Sequence, residues 1–323
     1  MDRKGVLLVL AASVAATVFG GVDWKSDPVQ SGPGRRFLLG DYSGGKVCIV
    51  GVDGKVEWQC KTGHVDDVWM LPNGNILFNT GTGVQEVTPA KEVVFEYKSK
   101  GEVFACQRLP NGNTFIGECS DGNLLEVDPA GTIVKKIELL ADVPEPPAVK
   151  GRKKYVGKGG HSFMRNARKL ANGNYLVALY GQKKVVEYDP DGKVLREIPA
   201  EGWPHSAIRL PNGNTLISCG DKSTKNKVME VDPAGKIVWK IDQDELPGTT
   251  LYFVTGLQRL PNGNTVLTNW LGHGKARKSA HVIEVTPEKE IVWSYQDFDA
   301  VAAAASIQLL EVPGDATKGE IWH

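Results

Sequence analysis

The chain has 323 residues, of which 41% are hydrophobic and 24% charged, with 38 basic and 38 acidic side chains. That length holds one large domain or two ordinary ones, and the composition is that of a soluble globular protein. Zero net charge excludes naming a partner from overall charge, so any electrostatic argument has to be local.

Residues 1–21 read as an export signal: a short basic start, "MDRK", then "GVLLVLAASVAATVFG", 16 residues without a charge. The run is short for a membrane span and closes on small residues. An uncleaved anchor is the alternative. The expected location is periplasmic or extracellular, with membrane contact only through such an anchor. Residues 22–323 are then one domain. Cys48, Cys60, Cys106, Cys119 and Cys219 form no CxxC, which speaks against a metal cage, and their odd number leaves at least one thiol unpaired.

Near the N-terminus, "RFLLGDYSGGKVCIVGVDGKVEWQC" supplies three strands and a "VDGK" hairpin, but no strand precedes it that pairs as the innermost of a set. A repeat follows. "LPNGN" begins at Leu71, Leu109, Leu210 and Leu260, and "LANGN" at Leu170. Between these anchors recur "LLEVDPAGTIVKK", "VVEYDPDGKVLRE", "VMEVDPAGKIVWK" and "VIEVTPEKEIVWS", with "VQEVTPAKEVVFE" as a weaker copy. Asn-Gly between apolar runs predicts a tight two-residue hairpin, because both residues tolerate positive φ. Asp-Pro-x-Gly predicts a second hairpin. Two hairpins give four antiparallel strands per repeat, the pattern of a propeller blade. Five blades follow, and "ASIQLLEV" near the C-terminus supplies the innermost strand that the first set lacks. The expected fold is all-β: a six-bladed β-propeller of four-stranded antiparallel blades, its ring closed by pairing N-terminal strands with the C-terminal strand. A sandwich or solenoid does not explain the split repeat. Trp58, Trp239 and Trp293 recur in the fourth strands, which marks them as packing residues between blades.

The short, uniform turns share one face of such a ring. The variable loops share the other, where function is expected. Three variable segments are basic: 146–169, with eight Lys or Arg and no acid, then 220–227 and 272–281. A basic rim suits an anionic ligand, although long solvated loops are often lysine-rich for solubility alone. Few aromatics interleave with these charges, so no nucleic acid partner is expected.

His64, His161 and His205 each stand at the start of an innermost strand. A histidine there often only bonds a neighbouring backbone group, but three at similar positions point to one site at the channel mouth. Asp66, Arg165, Trp203, Tyr252 and Thr255 lie close by in sequence. His and Arg converging on a ring axis suit an oxyanion, and one His is a candidate nucleophile or base. Asp66 and Asp67 are adjacent in an extended segment, so they are expected to point apart. His273 and His281 lack a third metal ligand at sensible spacing, and neither a metal nor a cofactor is expected. His323, the last residue, is expected to be mobile.

"HSAIRLPNGNTL" followed by "VMEVDPAGKIVW" resembles the repeat of arylsulfotransferase-type propellers, within the broader PQQ-like and WD40-like propeller group. The resemblance covers nearly all of 22–323. It implies an exported six-bladed ring whose channel histidines and arginine receive a sulfuryl group, with one histidine transiently sulfated. The matching histidine, five residues before the anchor Leu, is His205. His161 and His64 lie nine and seven residues before theirs.

Three functions follow as expectations. The first is an exported propeller that binds an anionic or carbohydrate-like ligand, or a protein partner, on the basic channel face, without need of catalysis. The second is sulfuryl transfer between phenolic compounds, with His205 as nucleophile and Arg165 and His161 holding the sulfate. The third is a propeller-type lyase in which Tyr252 or Tyr155 serves beside a histidine base.

Overall fold

The computed structural model describes residues 29–140, 160–220 and 225–323. Expectations for 1–21, Tyr155, most of the first basic segment and half of the second lie outside these residues. Among the described residues the chain is all-β apart from two short 3-10 turns, Tyr180–Gln182 and Ala316–Lys318. No helix there is long and apolar enough to cross a membrane.

The strands form an antiparallel propeller. Within each repeat they pair in sequence order, as in 204–209 with 215–219, then 226–231, then 237–242. The split set is completed across the chain: Ala304–Leu309 pairs with Phe37–Asp41. A short strand, Val29–Ser31, adds itself to the outer edge of the last sheet by pairing with Ile291–Gln296. Both ends of the described chain therefore contribute to closure, which covers two edges that would otherwise be open.

Hydrogen bonding joins the described strands into five sheets, not into uniform four-stranded sets. The sequence between Val93 and Arg108 has no turn-forming cluster, and it runs as one 16-residue strand. Its first part pairs with Gly81–Val87 and its last with Thr114–Glu118, fusing two repeats into a seven-stranded sheet.

The repeated turns also differ in detail from the two-residue hairpin expected. Leu71 N–H donates to Asn75 O (2.8 Å) and Gly74 N–H to Leu71 O (2.9 Å), enclosing a three-residue loop of Pro72, Asn73 and Gly74. Proline supplies the fixed φ of the first corner, and only the glycine takes a positive φ, 82° at Gly74. The first Asn accepts instead, its Oδ1 receiving Asn75 N–H at 3.0 Å. The Asp-Pro turns close the same way, as at Asp128–Gly131.

The last Asn of the motif has a different task. Asn174 donates to Glu187 at 2.7 Å, and Arg209, one repeat later, donates to the other oxygen of Glu187 at 2.7 Å. Asn214–Glu230–Arg259, Asn75–Glu86–Arg108 and Asn264–Glu284–Arg35 repeat this clip. Lys169 takes the arginine's place on Glu126. Trp58 and Trp239 donate to the carbonyls of Pro89 and Pro287 in other repeats, in keeping with a packing role. All five cysteines are free thiols, four of them buried.

The segment after Leu309 crosses the turn-side end of the channel. Trp322 bridges to Arg259, His323 lies 3.9 Å from the Trp69 ring, and Arg168 Nε donates to the main-chain oxygen of His323 at 3.0 Å. These partners come from innermost strands of three different repeats. His323 is only 4% exposed, so the expectation of a mobile terminal histidine fails. Burial in this aromatic and polar plug, next to Arg168, holds its imidazole well below the ordinary histidine range.

Candidate functional site

At the loop end the channel opens into a cavity of about 280 Å³ lined by Tyr42, Asp66, His161, Arg165, Tyr180, His205, Phe253, Thr255, Trp270 and His273. Five of the eight sequence candidates meet there: Asp66, His161, Arg165, His205 and Thr255. His64 does not line it. It stacks on Tyr42 at 4.5 Å with Nδ1 3.1 Å from Tyr42 O. Trp203 stands behind the wall, 5.2 Å from Tyr180 and under Lys183, and Tyr252 lies under Lys275. In all three cases the bulky ring found an aromatic or cationic neighbour at the rim, which removed it from the lining.

The cavity has two unlike halves. One is an aromatic arc with consecutive ring centres 5–7 Å apart, running Tyr180, His205, Phe253, Trp270, Tyr42. The other half is ionic. Arg165 lies between the rings of Phe104 (4.7 Å) and Tyr180 (5.1 Å), so its faces are covered and its edge is left for polar partners. Its Nε is buried without a hydrogen-bond partner, as is Asp66 Oδ2. His161 Nδ1 sits 3.0 and 3.1 Å from the two Glu102 oxygens, and this hydrogen bond holds Glu102 below the usual carboxylate range.

The backbone at Asp66 is pinned from one side. Asn79 Oδ1 accepts from both Asp66 N–H (2.8 Å) and Asp67 N–H (2.9 Å). The two carboxylates take different surroundings from a bend at Asp66. Asp67 takes Arg168 in a bidentate pair at 2.7 and 2.9 Å plus Cys106 N–H, while Asp66 faces the cavity.

Burial and charge set the protonation states. Burial raises the Asp66 carboxyl to about 7, with Arg165 opposing and Asp67 and Glu102 adding to the rise. Burial, then the nearby Arg165 guanidinium, push His205 well below the histidine range, so its imidazole is neutral at physiological pH. Burial lifts the Tyr42 hydroxyl to about 12. The floor thus offers a guanidinium edge, a carboxyl that titrates near neutrality and a neutral imidazole. Asp66, Arg165, His205 and Thr255 also separate this cavity from a much smaller polar void that reaches His323.

Sequence reasoning missed Tyr42, Tyr180, Phe253 and Trp270, and gave His273 no place at the channel. The signal for three of them is positional. Tyr42, Tyr180 and Trp270 each directly follow the second strand of a repeat, after Asp41, Leu179 and Asn269. Phe253 directly precedes an innermost strand. Among the described residues no cluster of three or more His, Cys, Asp or Glu has metal-holding geometry.

Comparison with known proteins bears on fold and family. A family model described as Mal s 1 allergenic protein-like matches residues 49–286. A crystal structure of a protein of unknown function from Bacteroides caccae is similar at 25% identity and TM-score 0.72, over 85% of this chain and 98% of that one. Virginiamycin B lyase from Staphylococcus aureus matches at 11% identity and TM-score 0.53, over 82% of this chain and 87% of its own, a likeness of fold alone. The WD40 β-propeller domain of Doa1 matches at 13% and 0.53, covering 72% and 71%. No curated protein sequence matches this chain.

Proposed function

The chain belongs to the Mal s 1 allergenic protein-like family, and from that premise we propose that it is a binding protein for a small ring-bearing anion, taken at the loop-side mouth of its channel. The seven-stranded sheet counts in this reading as two blades sharing one long strand, which makes the ring six-bladed. The carrying observation is the two-sided cavity: an aromatic arc facing a buried guanidinium edge. An apolar cavity of roughly 150 Å³ accommodates benzene, so one of about 280 Å³ has room for a single ring and its anionic substituent. A planar or sugar ring packs on the arc, and an oxyanion takes the edge donors of Arg165. Lys183 and Lys275 at the rim add positive potential for an incoming anion.

The test is calorimetry with aryl carboxylates, aryl sulfonates and uronic acids, each beside its uncharged counterpart. Arg165→Ala and Trp270→Ala are expected to lose binding by tenfold or more. Equal affinity for the uncharged counterparts removes the anion, and silence across the panel removes the site.

A second reading is catalytic. A neutral His205 lining the same cavity as a carboxyl raised to about 7 offers a base and an acid for proton transfer, and an unprotonated imidazole near Arg165 also suits sulfuryl transfer. Turnover of a chromogenic aryl sulfate with a phenol acceptor, or release of an unsaturated product from a uronic-acid polymer, supports it only where His205→Ala abolishes the signal. Absence of both in the wild type removes it.

A further inference from the structure

We infer that this site binds its anion together with one proton, and that Asp66 holds the proton. The inference rests on the anion-binding reading above and concerns the charge balance of the same cavity.

The charges that face Asp66 can be taken element by element. Asp67, beside it, is neutralised by Arg168 in a buried bidentate pair. Glu102, on the strand Val93–Arg108, is engaged by His161 from the neighbouring repeat. His205 and His323 are held neutral by burial, and Tyr42 keeps its proton. Among the described residues that line the cavity, what remains besides His273 at its mouth is one guanidinium, Arg165, and one carboxyl, Asp66, whose Oδ2 is buried without a partner. In the empty site above neutrality the ionised carboxyl balances the guanidinium.

An anion that docks on Arg165 changes this balance. Two negative groups then share one positive group in a poorly solvated pocket. Like charges at close range favour the protonated form of the more basic one. For a sulfonate or carboxylate ligand that group is Asp66, already the weaker acid through burial. The proton comes from solvent and forms one O–H bond on Asp66, and no other covalent bond changes. The protonated carboxyl then has a hydrogen to donate towards the ligand, so the floor becomes a donor set matched to an oxyanion. By linkage, affinity falls as pH rises above the Asp66 value, approaching about tenfold per pH unit for one proton taken up.

Benzenesulfonate is the probe, because it stays a monoanion throughout the working range and adds no titration of its own. Its affinity is measured from about pH 5 to about pH 9, by calorimetry in buffers of different ionisation enthalpy. The expected result for the wild type is uptake approaching one proton per ligand above neutrality and a matching fall in affinity. Asp66→Asn, which replaces the O–H donor of the protonated acid with an N–H donor and keeps the side chain's shape, is expected to bind with no proton uptake and a flat profile. His161→Gln is expected to retain the uptake. The inference is overturned by pH-independent binding in the wild type, by undiminished uptake in Asp66→Asn, or by loss of uptake in His161→Gln, which places the proton on the histidine. Failure of benzenesulfonate to bind at any pH instead overturns the anion site on which the inference rests.

Discussion

Asp66→Asn tests the electrostatics of the floor without any ligand. The carboxyl titrates at 3.8 in its ordinary setting and at about 7 in the fold, chiefly through burial. Between these values the unfolded chain has released the proton and the folded chain still holds it. Stability therefore falls as pH rises across that window and levels off above it. The shift is about three pH units at roughly 1.4 kcal/mol each, so the penalty above neutrality reaches about 4 kcal/mol. His205 and His323 act with the opposite sign, since their depressed values cost stability as pH falls below the ordinary histidine range. The wild-type profile mixes these trends, whereas the difference between wild type and Asp66→Asn isolates the carboxyl. Urea unfolding of both proteins near pH 4 and near pH 8 is the assay. The variant is expected to gain on the wild type by about 4 kcal/mol between the two conditions. A gain below about 1 kcal/mol, or one of opposite sign, refutes the buried, weakly acidic Asp66 and removes support for its role as proton holder.

Other expectations follow from the same geometry. Arg168→Leu leaves the Asp67 carboxylate buried without its partner and is expected to cost about 3–5 kcal/mol near neutrality, with a smaller loss in acid where Asp67 takes a proton; a pH-independent loss counts against the ion pair. Glu187→Ala removes the acceptor shared by Asn174 and Arg209 and is expected to cost about 1–3 kcal/mol in chemical denaturation, and a neutral result refutes the clip as a source of stability. Gly213 holds φ +85° in its turn, so Gly213→Ala is expected to destabilise by about 1 kcal/mol or more. Lys91 occupies the equivalent left-handed position of a Pro turn at φ 68°, so Lys91→Gly is expected to stabilise or be neutral; destabilisation by both substitutions contradicts the backbone argument.

Much of the fold was legible because repeats state the same physics several times. Asn-Gly and Asp-Pro between apolar runs located the hairpins, although the loop uses Pro for one corner and Gly alone for positive φ. The split set was legible from a missing innermost strand and a spare one. The fused strand Val93–Arg108 was not, because a propeller template expects a break wherever repeats meet, and nothing in a four-strand count reveals a continuous run. The clip was visible in hindsight: Arg or Lys precedes four of the five anchors, and Glu recurs in each "EV" or "EY" strand. It escaped notice because its partners lie in different repeats.

The site was legible to a different degree on its two sides. Counting back from the anchors found Asp66, His161, Arg165 and His205, because the starts of innermost strands lie at the channel mouth; His64 stands at the same register but stacks on Tyr42 instead. The aromatic arc needed a second count, forward from the end of each second strand, where Tyr42, Tyr180 and Trp270 stand and where Thr80, Cys119 and Gly220 hold the same register in the other repeats. The five anchored repeats carry closely similar clips and turns, so those elements do little to distinguish one side of the channel from another. Around the cavity, asymmetry among the described residues enters at these two registers: large rings on one set of repeats, small residues on the rest, and the uncovered guanidinium edge of Arg165 opposite. A ligand that satisfies both sides has one orientation, ring against the arc and charge against Arg165, and reversal places an anion on aromatic faces while leaving the guanidinium edge unpaired. On the proposed anion-binding reading, chemical selectivity in this ring is therefore a property of where the repeat departs from itself.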